Sequence, residues 1–129
     1  MSMDIEGLDH LVLTVADIEA SCRFYCAVLG FEDVRFGNGR RALAFGAHKI
    51  NLHRKGHEFE PKAAAPTPGS ADLCFISRRP IAEILAHLAA LGIAVEEGPV
   101  ERTGARSRLL SLYFRDPDGN LIEVANRIA

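Results

Sequence analysis

The chain has 129 residues, 48% hydrophobic and 25% charged, with a formal net charge of −2. That is one domain of ordinary size with material for a real core, and the charge balance shows no basic stripe that would expect nucleic acid. No apolar run approaches the roughly 20 residues that cross a bilayer, so no membrane partner is expected. The opening M-S-M-D-I-E-G is acidic and has no apolar stretch behind a basic one, unlike a secretory signal. Cys22, Cys26 and Cys74 include no C-x-x-C pair, which fits a reducing compartment and makes the cytoplasm the expected location. Cys22 and Cys26, four apart on an expected helix, read as small buried hydrophobes rather than a metal pair. Arg40, Arg41, Arg102, Arg106 and Arg108 read as loop charges, with anchoring of an anionic substrate as the alternative.

Taken in order, residues 8–15 (L-D-H-L-V-L-T-V) alternate as a strand, with His10, Val12 and Thr14 on one face. Asp17 is placed to cap a following helix whose apolar stripe runs through Ile18, Phe24, Tyr25, Val28 and Leu29. Gly30 stands where a helix takes a left-handed terminator. Short apolar runs at 31–36, 41–45 and 49–53 are split by G-N-G and G-A-H, which predicts a strand meander. This unit, residues 7–53, is β-α-β-β-β. Residues 54–70 carry three prolines and two glycines and read as an irregular linker that could also fold across a pocket mouth.

The second unit, residues 71–127, repeats the order. A strand at 71–77 (A-D-L-C-F-I-S) precedes a helix with Pro80 in its first turn and Ile81, Ile84, Leu85, Leu88 and Leu91 on one face. Gly92 closes that helix. Strands are expected at 93–96, 108–114 and 120–125, the last two joined by the turn R-D-P-D-G-N. Residues 97–107 are left as a long loop, a candidate for substrate recognition. Gly30 and Gly92 lie 62 positions apart (92 − 30), and His10 and Asp72 share that offset. A repeated unit too small to bury its own apolar face implies two modules in one fold.

In register, Asn51 of the first module pairs with Glu123 of the second. A histidine and a carboxylate on an apolar sheet face are costly to bury unpaired. A divalent metal offsets that cost, and imidazole nitrogen with carboxylate oxygen suits Zn, Ni, Mn or Fe. A hydrogen-bonded His10–Glu123 pair is the plain alternative. His48 and His57 fall in expected turn and linker and His87 in the second helix, which makes them poor ligand candidates.

The stretch G-L-D-H-L-V-L-T-V-A-D-I-E-A-S-C-R-F-Y-C-A-V-L-G-F at 7–31 resembles the opening of the vicinal oxygen chelate superfamily. Y-F-R-D-P-D-G-N-L-I-E-V at 113–124 resembles its closing strand–turn–strand. That superfamily includes glyoxalase I, extradiol dioxygenases, fosfomycin-resistance transferases and bleomycin-resistance proteins. K-I-N-L-H at 49–53, F-E-P-K-A at 59–63, P-G-S-A-D at 68–72 and E-E-G-P-V-E-R-T-G-A at 96–105 resemble the glyoxalase domain-containing protein 5 group and its bacterial relatives.

The resemblance implies an α+β fold of two βαβββ modules forming a curved mixed sheet, and a homodimer that completes the sites. It makes His10 the first-strand metal ligand and Glu123 the last-strand ligand. Two positions depart from the usual set: Asp72 stands where a second histidine is common, and Asn51 where Glu, Gln or an apolar residue is common. Asp72 or His53 would complete the site. Glu123 and Asp72 are the candidate catalytic carboxylates, and Asn51, Tyr113 and Arg115 the candidate substrate contacts. The implied function is a metal-dependent lyase or isomerase, lactoylglutathione lyase-like, acting on a small oxygenated substrate. The alternatives are a drug-binding protein of the bleomycin-resistance type, a thiol transferase or a dioxygenase.

Overall fold

The computed structural model describes all 129 residues as two units, Met1–Thr67 and Pro68–Ala129. In the first, a strand at His10–Val15 (β1) leads into a helix at Ile18–Phe24 (α1), which continues as a π-helical turn over Tyr25–Leu29. Strands at Glu32–Phe36 (β2), Arg40–Phe45 (β3) and His48–Arg54 (β4) follow. The sheet order is β1-β4-β3-β2, with β1 parallel to β4 and the other pairs antiparallel. The second unit runs Asp72–Ile76 (β5), Ile81–Ala90 (α2), Glu97–Thr103 (β6), Arg108–Arg115 (β7) and Leu121–Ile128 (β8). Its order, β5-β8-β7-β6, repeats the first, again with first and last strands parallel. The expected α+β fold of two βαβββ modules is present.

Local chemistry sets the helix ends. Asp17 accepts a hydrogen bond from the Ala20 amide at 3.1 Å, as its position predicts. Gly30 and Gly92 both take the left-handed conformation, φ 74° and 71°, and end their helices alike. The start of α2 has no local side-chain cap. Instead the Asn126 carboxamide accepts from the Ile81 amide at 2.8 Å and donates to the Ser77 and Arg79 carbonyls.

Each sheet has a helix on one face. In the first unit Leu13, Val15, Leu43, Ile50 and Leu52 are buried there, each worth about 1.5–3 kcal/mol. Arg41 lies on the same face and is only 8% exposed. Its guanidinium bonds Asp33 at 2.8 and 3.2 Å, touches the Cys22 sulfur at 3.4 Å, and also pairs with Glu19. Arg41 is therefore a buried tie between α1, β2 and β3, and not a loop charge. In the second unit Leu88, Leu112, Phe114, Ile122 and Val124 form the helix-side core.

Two expectations are overturned. No strand forms at 93–96, and the loop expected at 97–107 is mostly strand β6. Pairing with β7 begins where the Glu96 amide donates to the Tyr113 carbonyl at 2.8 Å. The run E-G-P-V-E-R-T belongs to a sheet edge and so lacks the apolar alternation of a half-buried strand. A bulge breaks its register between Glu97 and Val100, at Gly98. Gly98 has φ +112°, and a Cβ there would stand 2.5 Å from the Ser111 carbonyl oxygen and 2.7 Å from Leu112 Cα. Gly98→Ala should therefore cost about 2–4 kcal/mol of stability, read as a lower denaturant midpoint. An unchanged midpoint would show that the bulge tolerates a side chain.

Candidate functional site

The face of each sheet opposite its helix carries the predicted site residues. In the first unit β1 and β4 are in register as His10↔Lys49, Val12↔Asn51 and Thr14↔His53. His10, Asn51 and His53 therefore share that face, with strands about 4.8 Å apart. The His10 side chain is 41% exposed, and its Nδ1 sits 2.8 Å from Asp9 Oδ1. The hydrogen bond and charge of His10 hold the Asp9 carboxyl below its ordinary range. Asn51 and His53 are buried, and neither Asn51 Oδ1 nor His53 Nε2 has a partner. Burial, and secondly the charge of Arg40, pushes the His53 imidazole down.

Arg40 lies on the same face beside His53. Its guanidinium is 4.4 Å from the ring centre of Phe59 and 5.2 Å from that of Phe36, and the His53 ring meets Phe59 edge-on at 5.6 Å. The linker residue Phe59 thus packs against Arg40 and His53 on this face. Arg40, read from the sequence as a loop charge, is the last neighbour of His53. Neither contact has a local sequence signal, because 59 and 40 meet only through the sheet.

In the second unit a transverse row runs Tyr113–Glu123–Cys74 across β7, β8 and β5, and the next row runs Arg115–Leu121–Asp72. Asp72, Glu123, Tyr113 and Arg115 accordingly share one face. The equivalent rows of the first unit are Ala42–Asn51–Val12 and Ala44–Lys49–His10. His10 matches Asp72 and Asn51 matches Glu123, as the repeat predicts. Asn120 fixes Asp72 at the start of β5. It accepts from the Ala71 amide at 2.8 Å while donating to Asp116 Oδ2, also at 2.8 Å. Arg115 directs its fork to Glu96, at 2.9 and 3.1 Å. Within neither unit do three His, Cys, Asp or Glu side chains come together as a metal cage.

Cys74 is exposed in the chain and was not among the expected site residues. Sequence reasoning missed it for want of the register that sets it beside Glu123; alternation from Asp72 could have placed it on the site face. Burial of the sulfur, then the Glu123 charge and hydrogen bond, push its thiol up to about 11. Burial also raises Tyr113, opposed by a bond from Arg102 Nε to the phenol oxygen at 3.0 Å and reinforced by Glu123. The four groups line a pocket of about 410 Å³ together with residues 103–107, Ile76 and Leu109.

Only the thiolate alkylates, so a thiol near 11 holds roughly a hundredfold less reactive form at pH 8 than an ordinary one. Cys74 should therefore react slowly with iodoacetamide, followed by peptide mass spectrometry, and Glu123→Gln should speed it by removing a charge that disfavours the thiolate. Equal rates in the two proteins would contradict the Cys74–Glu123 coupling.

Residues 7–124 match the profile of the Glyoxalase/Bleomycin resistance protein/Dioxygenase superfamily. The chain is 56% identical over 128 residues to "Virulence protein STM3117" of Salmonella typhimurium, covering 99% of this chain and 89% of that protein. The crystal structure of that protein superposes with a TM-score of 0.96 at 57% identity, over 98% of this chain and all of the other. "Glyoxalase domain-containing protein RDO1" of Mycosarcoma maydis is 54% identical over 124 residues, 96% of this chain and 70% of that one. A lactoylglutathione lyase from Agrobacterium tumefaciens superposes with a TM-score of 0.71 at 26% identity, over 95% of both chains. These named relatives are a virulence protein and a fungal glyoxalase-domain protein, where the sequence motifs suggested the glyoxalase domain-containing protein 5 group. The shared profile, the repeated βαβββ topology and the matched site positions lead to one statement: the chain belongs to the glyoxalase/bleomycin resistance/dioxygenase superfamily.

Proposed function

We propose that this protein is a divalent-metal-dependent enzyme of the glyoxalase type, a lyase or isomerase acting on a small oxygenated molecule. His10 and Glu123 are its principal ligands, with Asp72 or His53 completing the set, and the working assembly is a homodimer. The observation that carries the reading is the pair of buried atoms without partners, Asn51 Oδ1 and His53 Nε2, on the face that also presents His10. Lone pairs buried this way are costly unless a cation or a donor meets them. Nitrogen and oxygen donors of this kind fit Zn, Ni, Mn or Fe. The Asp9 carboxylate on His10 Nδ1 orients the ring as such partners do in metal sites, leaving Nε2 for the ligand.

A bound divalent ion supplies Lewis-acid polarisation of two neighbouring substrate oxygens. The chain's own groups do the rest. Arg102 Nε donates to the Tyr113 oxygen, so the phenol proton is directed to Glu123. Asp72 is exposed at the start of β5 and is free to take a proton from one carbon and return it to the next. The apolar side chains of Ile76 and Leu109 line part of the pocket.

A drug-binding protein is the second reading, and Asn51 favours it, because a carboxamide replaces a carboxylate at a ligand position. Reconstitution with Mn, Ni, Zn or Fe(II) followed by elemental analysis separates the two. About one equivalent per chain, lost in His10→Ala and kept in the α2 variant His87→Ala, is the expected result. Protein that holds none of the four ions would contradict the enzyme and leave the binder.

A further inference from the structure

The pocket of the second unit has an excess of positive side chains in its lining. Three of its lining residues are arginines, Arg102, Arg106 and Arg127, against one carboxylate, Glu123. Arg102 is committed, with Nε on the Tyr113 oxygen and Nη2 3.2 Å from Glu97 Oε2. The side chains of Arg106 and Arg127 make no hydrogen bond, ion pair or ring contact. Both guanidinium groups line this one pocket, in a chain whose overall charge is −2. The Ser107 hydroxyl lies beside them, buried and without a partner.

From these groups we infer that the pocket takes an elongated small molecule with a carboxylate at one end, held by Arg106, Arg127 and the Ser107 hydroxyl. This deepens the proposed function by naming its substrate class, and as far as catalysis is concerned it rests on that reading. Arginine forks match the two oxygens of a carboxylate in a way that a solvated lysine would not. Length follows from the strand. Arg127 lies four residues beyond Glu123 on the same face of β8, about 13 Å along the backbone. A molecule bound at the arginines must reach back toward Glu123, so a compact anion fills only one end. Ile76, level with Ala125, lies between Glu123 and Arg127, and Leu109 stands opposite Arg127, an apolar lining that suits a carbon chain.

The arginine end is also held in place. The Gly104 amide donates to the Ser107 carbonyl at 2.9 Å, closing the turn that carries Arg106. A Cβ at Gly104 would come within 2.7 Å of that oxygen and 2.8 Å of Leu109 Cγ, so the turn is drawn tight against β7. The backbone that carries Arg106 is thereby fixed before any ligand arrives, while the two guanidinium groups are left to be ordered by it.

Hexanoate, its neutral isostere hexanamide, and inorganic phosphate are the probes, titrated into metal-free full-length protein and followed by amide and arginine-side-chain NMR shifts. Hexanoate should shift the resonances of Arg106, Ser107 and Arg127 and bind roughly tenfold or more tightly than hexanamide. The double variant Arg106→Gln/Arg127→Gln should remove that preference and leave hexanamide binding as it was, while Arg127→Lys retains part of it. Equal binding of hexanoate and hexanamide would overturn the proposal, as would hexanoate binding unaffected by the double variant. Phosphate binding as tightly as hexanoate would overturn the elongated carboxylate in favour of a compact anion. Because no metal is present, carboxylate binding in a chain that takes up no metal ion would remove the enzyme and keep this ligand class. Metal uptake without carboxylate binding would do the reverse.

Discussion

The parallel pairing of first and last strand in each unit is the constraint on which the site depends. It brings His10 beside Asn51 and Asp72 beside Glu123, residues far apart in sequence, and sets each pair on the face away from the helix. Parallel neighbours need a long crossover, which the helix and the two intervening strands of each module supply. A one-residue slip in either pairing would turn every one of these side chains to the opposite face. Register is therefore a functional quantity here. On the helix side it is held by the fully buried Leu43, Ile50 and Leu52 in one unit and by Leu112 and Ile122 in the other.

The two units use the same frame with different chemistry. The first presents a histidine, a buried carboxamide, a second histidine and Arg40 stacked on phenylalanine rings. The second presents Asp72 and, around a pocket, Glu123 with a thiol, a phenol and three arginines. Cys74 and Tyr113 stay protonated beside Glu123 because burial disfavours their anions and the carboxylate charge adds to that cost. Neutral donors flanking a carboxylate are a reasonable setting for proton transfer, whereas a thiolate there would compete with it.

The modular frame was legible in the sequence because it is written locally. Alternation gives the strands, Asp17 gives a cap, and Gly30 and Gly92 give equivalent stops. The repeat offset of 62 then carried His10 onto Asp72. What was not legible depends on partners distant in the chain. The cap of α2 comes from Asn126, the burial of Arg41 from Glu19 and Asp33, and the Cys74–Glu123 contact from sheet register. Strand β6 was missed for a different reason. As an edge strand bent by the bulge at Gly98, it has no apolar alternation to read.

The central claim is that His10 and Glu123 ligate one metal ion. X-ray absorption at the zinc edge of zinc-loaded protein tests it most directly, comparing the native chain with His10→Ala and Glu123→Gln. The account predicts imidazole scattering that weakens in the first variant and an altered oxygen shell in the second. Identical spectra for all three proteins would contradict it.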